Sequence, residues 1–238
     1  MLQKTGGGQT MKLVMVGGHT RNIGKTSVVE GIIKATPELN WTAAKITQFG
    51  HGICSMDCEP CGCAVSEHQF SITEERARDT GTDTARFLAA GARRSLWVRT
   101  KQGELSTALP AFRKKIENDK FVIVESNSLR RFINPAVYLQ VFDPSISDFK
   151  RSAQQYFDLS DAYILVNKAD ALPNTGLLAQ MRKNQACFPV RKEDRFINEK
   201  VIEFVLSKLE VAELDSAGRL QIGVKQVRDS HRLTLDKA

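Results

Sequence analysis

Residues 13–16 (LVMV) form an unbroken apolar run, and further strands are expected at 41–49, 95–99, 120–125, 137–142 and 162–166, with 187–190 as a short last member. Runs of this length, rich in Val and Ile, are what strands covered on both faces require. Between them the period lengthens to that of a helix. Val28, Val29, Ile32 and Ile33 share one side of a helix over 27–35 that Pro37 ends, and 105–116 is amphipathic. Helices are also expected through FLAAGA (87–92) and over 148–157, 175–185 and 196–209. The charged stretch 72–86 reads as a loop that enters a helix with Thr82 or Asp83 as N-cap. Strands alternating with helices predict an α/β fold, a doubly wound, mostly parallel sheet with ligands at the carboxyl ends of its strands. The expected organisation is a disordered leader over 1–10, a nucleotide-binding domain over 11–212 and a C-terminal tail over 213–238.

The chain has 238 residues, 42% of them hydrophobic, and no apolar run long enough to span a bilayer, which predicts a soluble protein with a full core. The net charge of +7 suits an anionic ligand, but no arginine-rich tract or RNA-binding signature accompanies it, so nucleic acid is not the expected partner. The leader MLQKTGGGQT lacks the apolar core of a secretory signal, and five cysteines in such a chain argue for a reducing compartment, the cytoplasm.

Three motifs carry chemistry. The first is Gly18 to Thr26, G-x-x-x-x-x-G-K-T, one residue longer than the common phosphate loop. Backbone N–H groups and a helix amino end cradle phosphate, lysine adds a mobile charge and threonine ligates Mg2+. Gly18, Arg21, Asn22, Gly24, Lys25, Thr26 and Ser27 are the expected contacts. Glu125 closes the 120–125 strand, where nucleotide hydrolases place the acid that orients Mg2+ or its water. Lys25 and Glu125 are the expected catalytic groups, Thr26 and Glu125 the Mg2+ pair. Asp79 and Asp83 could reach the same ion through water.

The second motif, Asn167-Lys168-Ala169-Asp170, follows a strand; its aspartate can accept both N1–H and N2–H₂ of guanine, a donor pair adenine lacks. GTP is therefore expected, with ATP the alternative. The third is C-x-x-x-C-x-x-C-x-C: Cys54, Cys58, Cys61 and Cys63, flanked by His51 and His68. Clustered thiolates point to a metal, zinc or an iron–sulfur cluster, which the spacing leaves open. Cys187 stands alone and reads as a core residue.

The long loop resembles that of dethiobiotin synthetase, within the SIMIBI class of P-loop NTPases. KITQFGHG (45–52) and DTGTDTARFLAAGA (79–92) are similar to molybdopterin-guanine dinucleotide biosynthesis protein B, which singles out Lys45, His51, Asp83, Arg86 and the Ala90-Gly91-Ala92 turn. VIVESNSL, SDAYILVNKADALP and CEPCGC resemble segments of the nickel-insertion GTPases of hydrogenase and urease maturation. The likeness implies a GTPase that serves metal-centre or molybdenum-cofactor assembly, acts as a homodimer, meets a metalloenzyme or assembly protein, and adds nickel to the metals its cysteines could hold. The rival readings are an ATP-dependent small-molecule kinase or ligase and a non-hydrolysing carrier of a nucleotide-bearing cofactor.

Overall fold

A computed structural model describes residues 10–49, 70–166, 185–191 and 196–211. Eight strands form one sheet: β1 (Lys12–Gly18), β2 (Thr42–Phe49), β3 (Phe70–Glu74), β4 (Arg94–Lys101), β5 (Phe121–Glu125), β6 (Val137–Phe142), β7 (Ala162–Val166) and β8 (Ala186–Val190). Their order is β3-β4-β2-β5-β1-β6-β7-β8, and every neighbouring pair is parallel except β3 with β4. The helices are α1 (Lys25–Ala35), α2 (Asp83–Ala89), α3 (Leu105–Ile116), α4 (Arg151–Gln154) and α5 (Glu199–Lys208). The doubly wound α/β expectation holds, and with the strand–glycine loop–helix unit at its centre this is a P-loop NTPase fold.

Two buried layers follow from the pleat. Along β1, Val14 and Val16 face one core with α1 and α5, while Leu13 and Met15 face the other with α3. Trp41, at the foot of β2, is 1% exposed and donates its indole N–H to Thr36 just beyond α1. Among the described residues no helix is long and apolar enough to cross a membrane.

Three expectations need correction. Residues 72–74, expected as loop, belong to the antiparallel edge strand β3, because the backbone of that strand pairs with β4 from Phe70↔Thr100 to Glu74↔Leu96. The helix expected over 148–157 shrinks to the single turn α4 and a 3₁₀ turn at Phe157–Leu159, since Phe157 turns inward onto Phe142, Phe149 and Tyr163. Cys187 is exposed on the last strand rather than in the core. The cysteines of 54–63, their flanking histidines, the Asn167 to Asp170 segment and most of 175–185 lie outside the described residues.

Candidate functional site

The site forms at the carboxyl ends of the three central strands, because register puts Val16 opposite Glu125 and Glu125 opposite Lys45. From β1 the chain passes through residues 19–24 into α1. Gly24 caps that helix at φ +99°, where an L side chain is strained, and an added Cβ would come within 2.5 Å of the Phe196 ring. A Cβ on Gly18 would meet Ile23 at 2.6 Å and the Lys25 stem at 2.8 Å. Both glycines are therefore fixed by geometry.

The loop's extra residue is accommodated by turning its first half inward. His19 is buried, with its ring edge-to-face against Phe142 at 4.9 Å and Phe149 at 5.7 Å. Burial lowers its pKa, against the opposing pull of the Val141 and Ile146 carbonyls and Asp143. The backbone N–H of His19 donates to Val141 at 3.1 Å and its carbonyl accepts from Lys150 N–H at 2.8 Å, while the Thr20 hydroxyl donates to Asp148. These ties hold the loop to the segment after β6.

Lys25 Nζ donates to the Thr20 carbonyl at 2.9 Å, and Thr26 Oγ1 donates to Glu125 Oε2 at 2.8 Å. Glu125 is 4% exposed, and its other oxygen lies 3.4 Å from Lys45 Nζ, which also contacts Asp83. Arg86 joins Asp83 at 3.4 Å to Glu30 at 2.7 Å and Ser27 at 3.3 Å. Thr82 caps α2 by accepting from Ala85 N–H at 3.2 Å, as the sequence suggests, so Asp83 opens the helix beside the phosphate loop. Behind the loop, Asn127 clamps Gly18: Oδ1 accepts from its N–H at 2.9 Å and Nδ2 donates to its carbonyl at 2.8 Å.

Lys25, Thr26, Glu125 and Arg86 face a cavity of about 650 Å³ that runs from Arg21 and Asn22, past Lys45 and Asp83, to Trp97 on β4. Five cations (Arg21, Lys25, Lys45, Arg86, Lys150) outnumber the two carboxylates, Asp83 and Glu125, on its wall. Burial, with Lys25 and Arg21 alongside, pushes Lys150 down to about 8. Lys25 is also lowered by burial, opposed by Glu125 and reinforced by Lys45 and Arg21. An anion relieves all of these strains at once. Among the described residues no cluster of three or more His, Cys, Asp or Glu could hold a metal unaided. The Thr26 hydroxyl with the Glu125 and Asp83 carboxylates is instead a hard-oxygen set that suits Mg2+ when phosphate and water complete its shell.

The expected residues Gly24, Lys25, Thr26, Ser27 and Glu125 line the cavity together, with Arg21 and Asn22 exposed at its mouth, whereas Gly18 sits behind the loop against Asn127. Asp83 joins them, whereas Asp79 is exposed and does not line the cavity. Lys150, Asp148, Asn127 and Phe196 were missed by sequence reasoning. Only Asn127, two residues past the acidic strand end, carried a usable signal.

No family model matches the chain, and no curated protein matches it in sequence. Among solved structures, it is similar to HypB from Helicobacter pylori in complex with nickel, at 13% identity and TM-score 0.47, covering 83% of this chain and 86% of that one. It is also similar to LpxK from Aquifex aeolicus in complex with ATP, at 12% identity and TM-score 0.42, covering 75% of this chain and 53% of that one.

Proposed function

We propose that this protein binds GTP with Mg2+ and hydrolyses it slowly, as a cytoplasmic switch in metal-centre or molybdenum-cofactor assembly. The observation that supports the hydrolase reading is the Thr26 hydroxyl seated 2.8 Å from Glu125 beside the phosphate-loop lysine. On this reading Lys25 leaves the Thr20 carbonyl for the β- and γ-phosphates, and the loop amides take the oxygens that gain charge during transfer. Thr26 holds the ion and Glu125 orients it or its water. Bound Mg2+ supplies charge neutralisation at the phosphates and a template for in-line attack. Asn167, Lys168 and Asp170 follow β7, two strands from β1, and are assigned the guanine. Cys54, Cys58, Cys61 and Cys63, in the segment joining β2 to β3, are assigned a zinc ion or an iron–sulfur cluster, with nickel as the alternative. The partner is a metalloenzyme or assembly protein, and the working unit a homodimer.

The test is nucleotide binding and turnover with GTP and ATP, alongside metal analysis of anaerobically purified protein. Preference for GTP, its weakening in Asp170→Asn by about 1–3 kcal/mol, and stoichiometric zinc, iron or nickel are the expected results. Preference for adenine, or absence of all three metals, rejects the corresponding part. A second reading, an ATP-dependent small-molecule kinase, draws on the shape of the cavity. It extends over β2 to Trp97 on β4, away from β6 and β7, which leaves room for an acceptor facing the terminal phosphate.

A further inference from the structure

Lys45 lies at the point where the oxygen donors of the site converge. Its ammonium contacts the Asp83 carboxylate and lies 3.4 Å from Glu125 Oε1, and the other Glu125 oxygen takes the Thr26 hydroxyl at 2.8 Å. Hydroxyl and both carboxylates are the groups assigned above to Mg2+, and a fixed cation already sits among them. An ammonium and a divalent ion cannot share the position, because each needs the same carboxylate lone pairs and the two charges repel at such range. The lysine is held there by register, since Lys45 pairs with Glu125 across β2 and β5 and its side chain is only 20% exposed.

We propose that Lys45 is a built-in competitor of the divalent cation, one that couples metal loading to nucleotide loading. A bare cation must evict the ammonium from Asp83 and Glu125 and leave it facing a wall already crowded with Arg21, Lys25, Arg86 and Lys150. A cation that arrives with a triphosphate brings the replacement partner, because Lys45 opens onto the same cavity as Lys25 and Thr26. The site therefore resists divalent cation alone and admits it with nucleotide. Asp83 is not stranded by the exchange. Arg86 stays 3.4 Å from its Oδ1 and is itself anchored by Glu30.

The inference rests on the reading of Thr26 and Glu125 as the Mg2+ pair, but its test needs no turnover. Mn2+ binding to the nucleotide-free protein is followed by electron paramagnetic resonance for the wild type, Lys45→Gln, Lys45→Met, Lys45→Arg and Glu125→Gln. Removing one unit charge at this range should tighten bare Mn2+ about tenfold in the Gln and Met variants. The Arg variant, which keeps the charge, stays near the wild type. Glu125→Gln weakens binding. With a non-hydrolysable GTP analogue present, the extra Mn2+ affinity that nucleotide brings should shrink in the Gln variant. Mn2+ affinity in folded Lys45→Gln and Lys45→Met at or below that of the wild type overturns the proposal, as does failure of all variants to bind millimolar Mn2+. If the wild type ignores GTP, the functional reading fails while the bare-Mn2+ comparison still decides the role of Lys45.

Discussion

At the scale of single residues, the site is an excess of positive charge held in place by backbone. Lys25→Ala removes a partly buried charged side chain that lines the cavity and belongs to neither hydrophobic core, its one described hydrogen bond being to the Thr20 carbonyl. We expect triphosphate affinity to fall by about 1.5–3 kcal/mol with a thermal midpoint no lower than that of the wild type, since burial disfavours the Lys25 charge, measured by calorimetric titration and unfolding of the same samples. Lys150 gives a pH signature. Its pKa falls from 10.5 unfolded to about 8 folded, so across that window the unfolded chain holds a proton the native one has released. Stability from this group therefore rises with pH between the two values, and below about 8 the native state bears the cost of the charge. Nucleotide reverses the shift, since an anion in the cavity favours the charged lysine. Binding at about pH 9 should take up protons, seen as a dependence of the apparent heat on buffer ionisation enthalpy, and Lys150→Met should reduce the uptake, leaving the share of Lys25, which burial also lowers.

At the scale of elements, the junction of β1 with α1 is specified twice over. Its glycines supply conformations other residues resist, and their missing side chains make room for neighbours that arrive from far along the chain. Gly24→Ala meets both conditions, a positive φ of 99° and the Phe196 ring 2.5 Å from the new methyl. It should lower stability by about 1–3 kcal/mol in urea unfolding and weaken nucleotide binding with it, because the first turn of α1 is the cradle. The phosphate loop itself was legible from glycine spacing and the Lys-Thr pair. Its inward fold at His19 was not, because that depends on Phe142 and Phe149 being brought beside it, more than a hundred residues later.

At the scale of the whole molecule, the sheet separates two cores that share little beyond the strands themselves. Ile32 belongs to the face with α1 and α5, and Ile116 to the face with α3. Both are fully or almost fully buried. Ile32→Val and Ile116→Val should each cost about 0.5–1.5 kcal/mol. The double variant should show their sum to within about 0.5 kcal/mol by denaturant unfolding, because the two residues sit in separate clusters on opposite faces of the sheet.

Local pattern alone was enough for most of the described elements and for the strand–loop–helix unit around Gly24-Lys25-Thr26. Apolar segments marked the central parallel strands, Pro37 and the Thr82 cap marked helix boundaries, and Gly24-Lys25-Thr26 with Glu125 marked the phosphate end, because each is a local pattern with a local cause. Tertiary structure decided which strands are neighbours and at what register. A period-two pattern says that residues share a face but not which strand lies alongside, so it could not bring Lys45 on β2 onto Glu125 on β5, nor Asp83 on α2 onto Lys45. The same limit explains the misreadings. Backbone pairing with β4 made a strand of 72–74, the start of the charged stretch, and membership of β8 left Cys187 exposed, outcomes fixed by contacts distant in sequence.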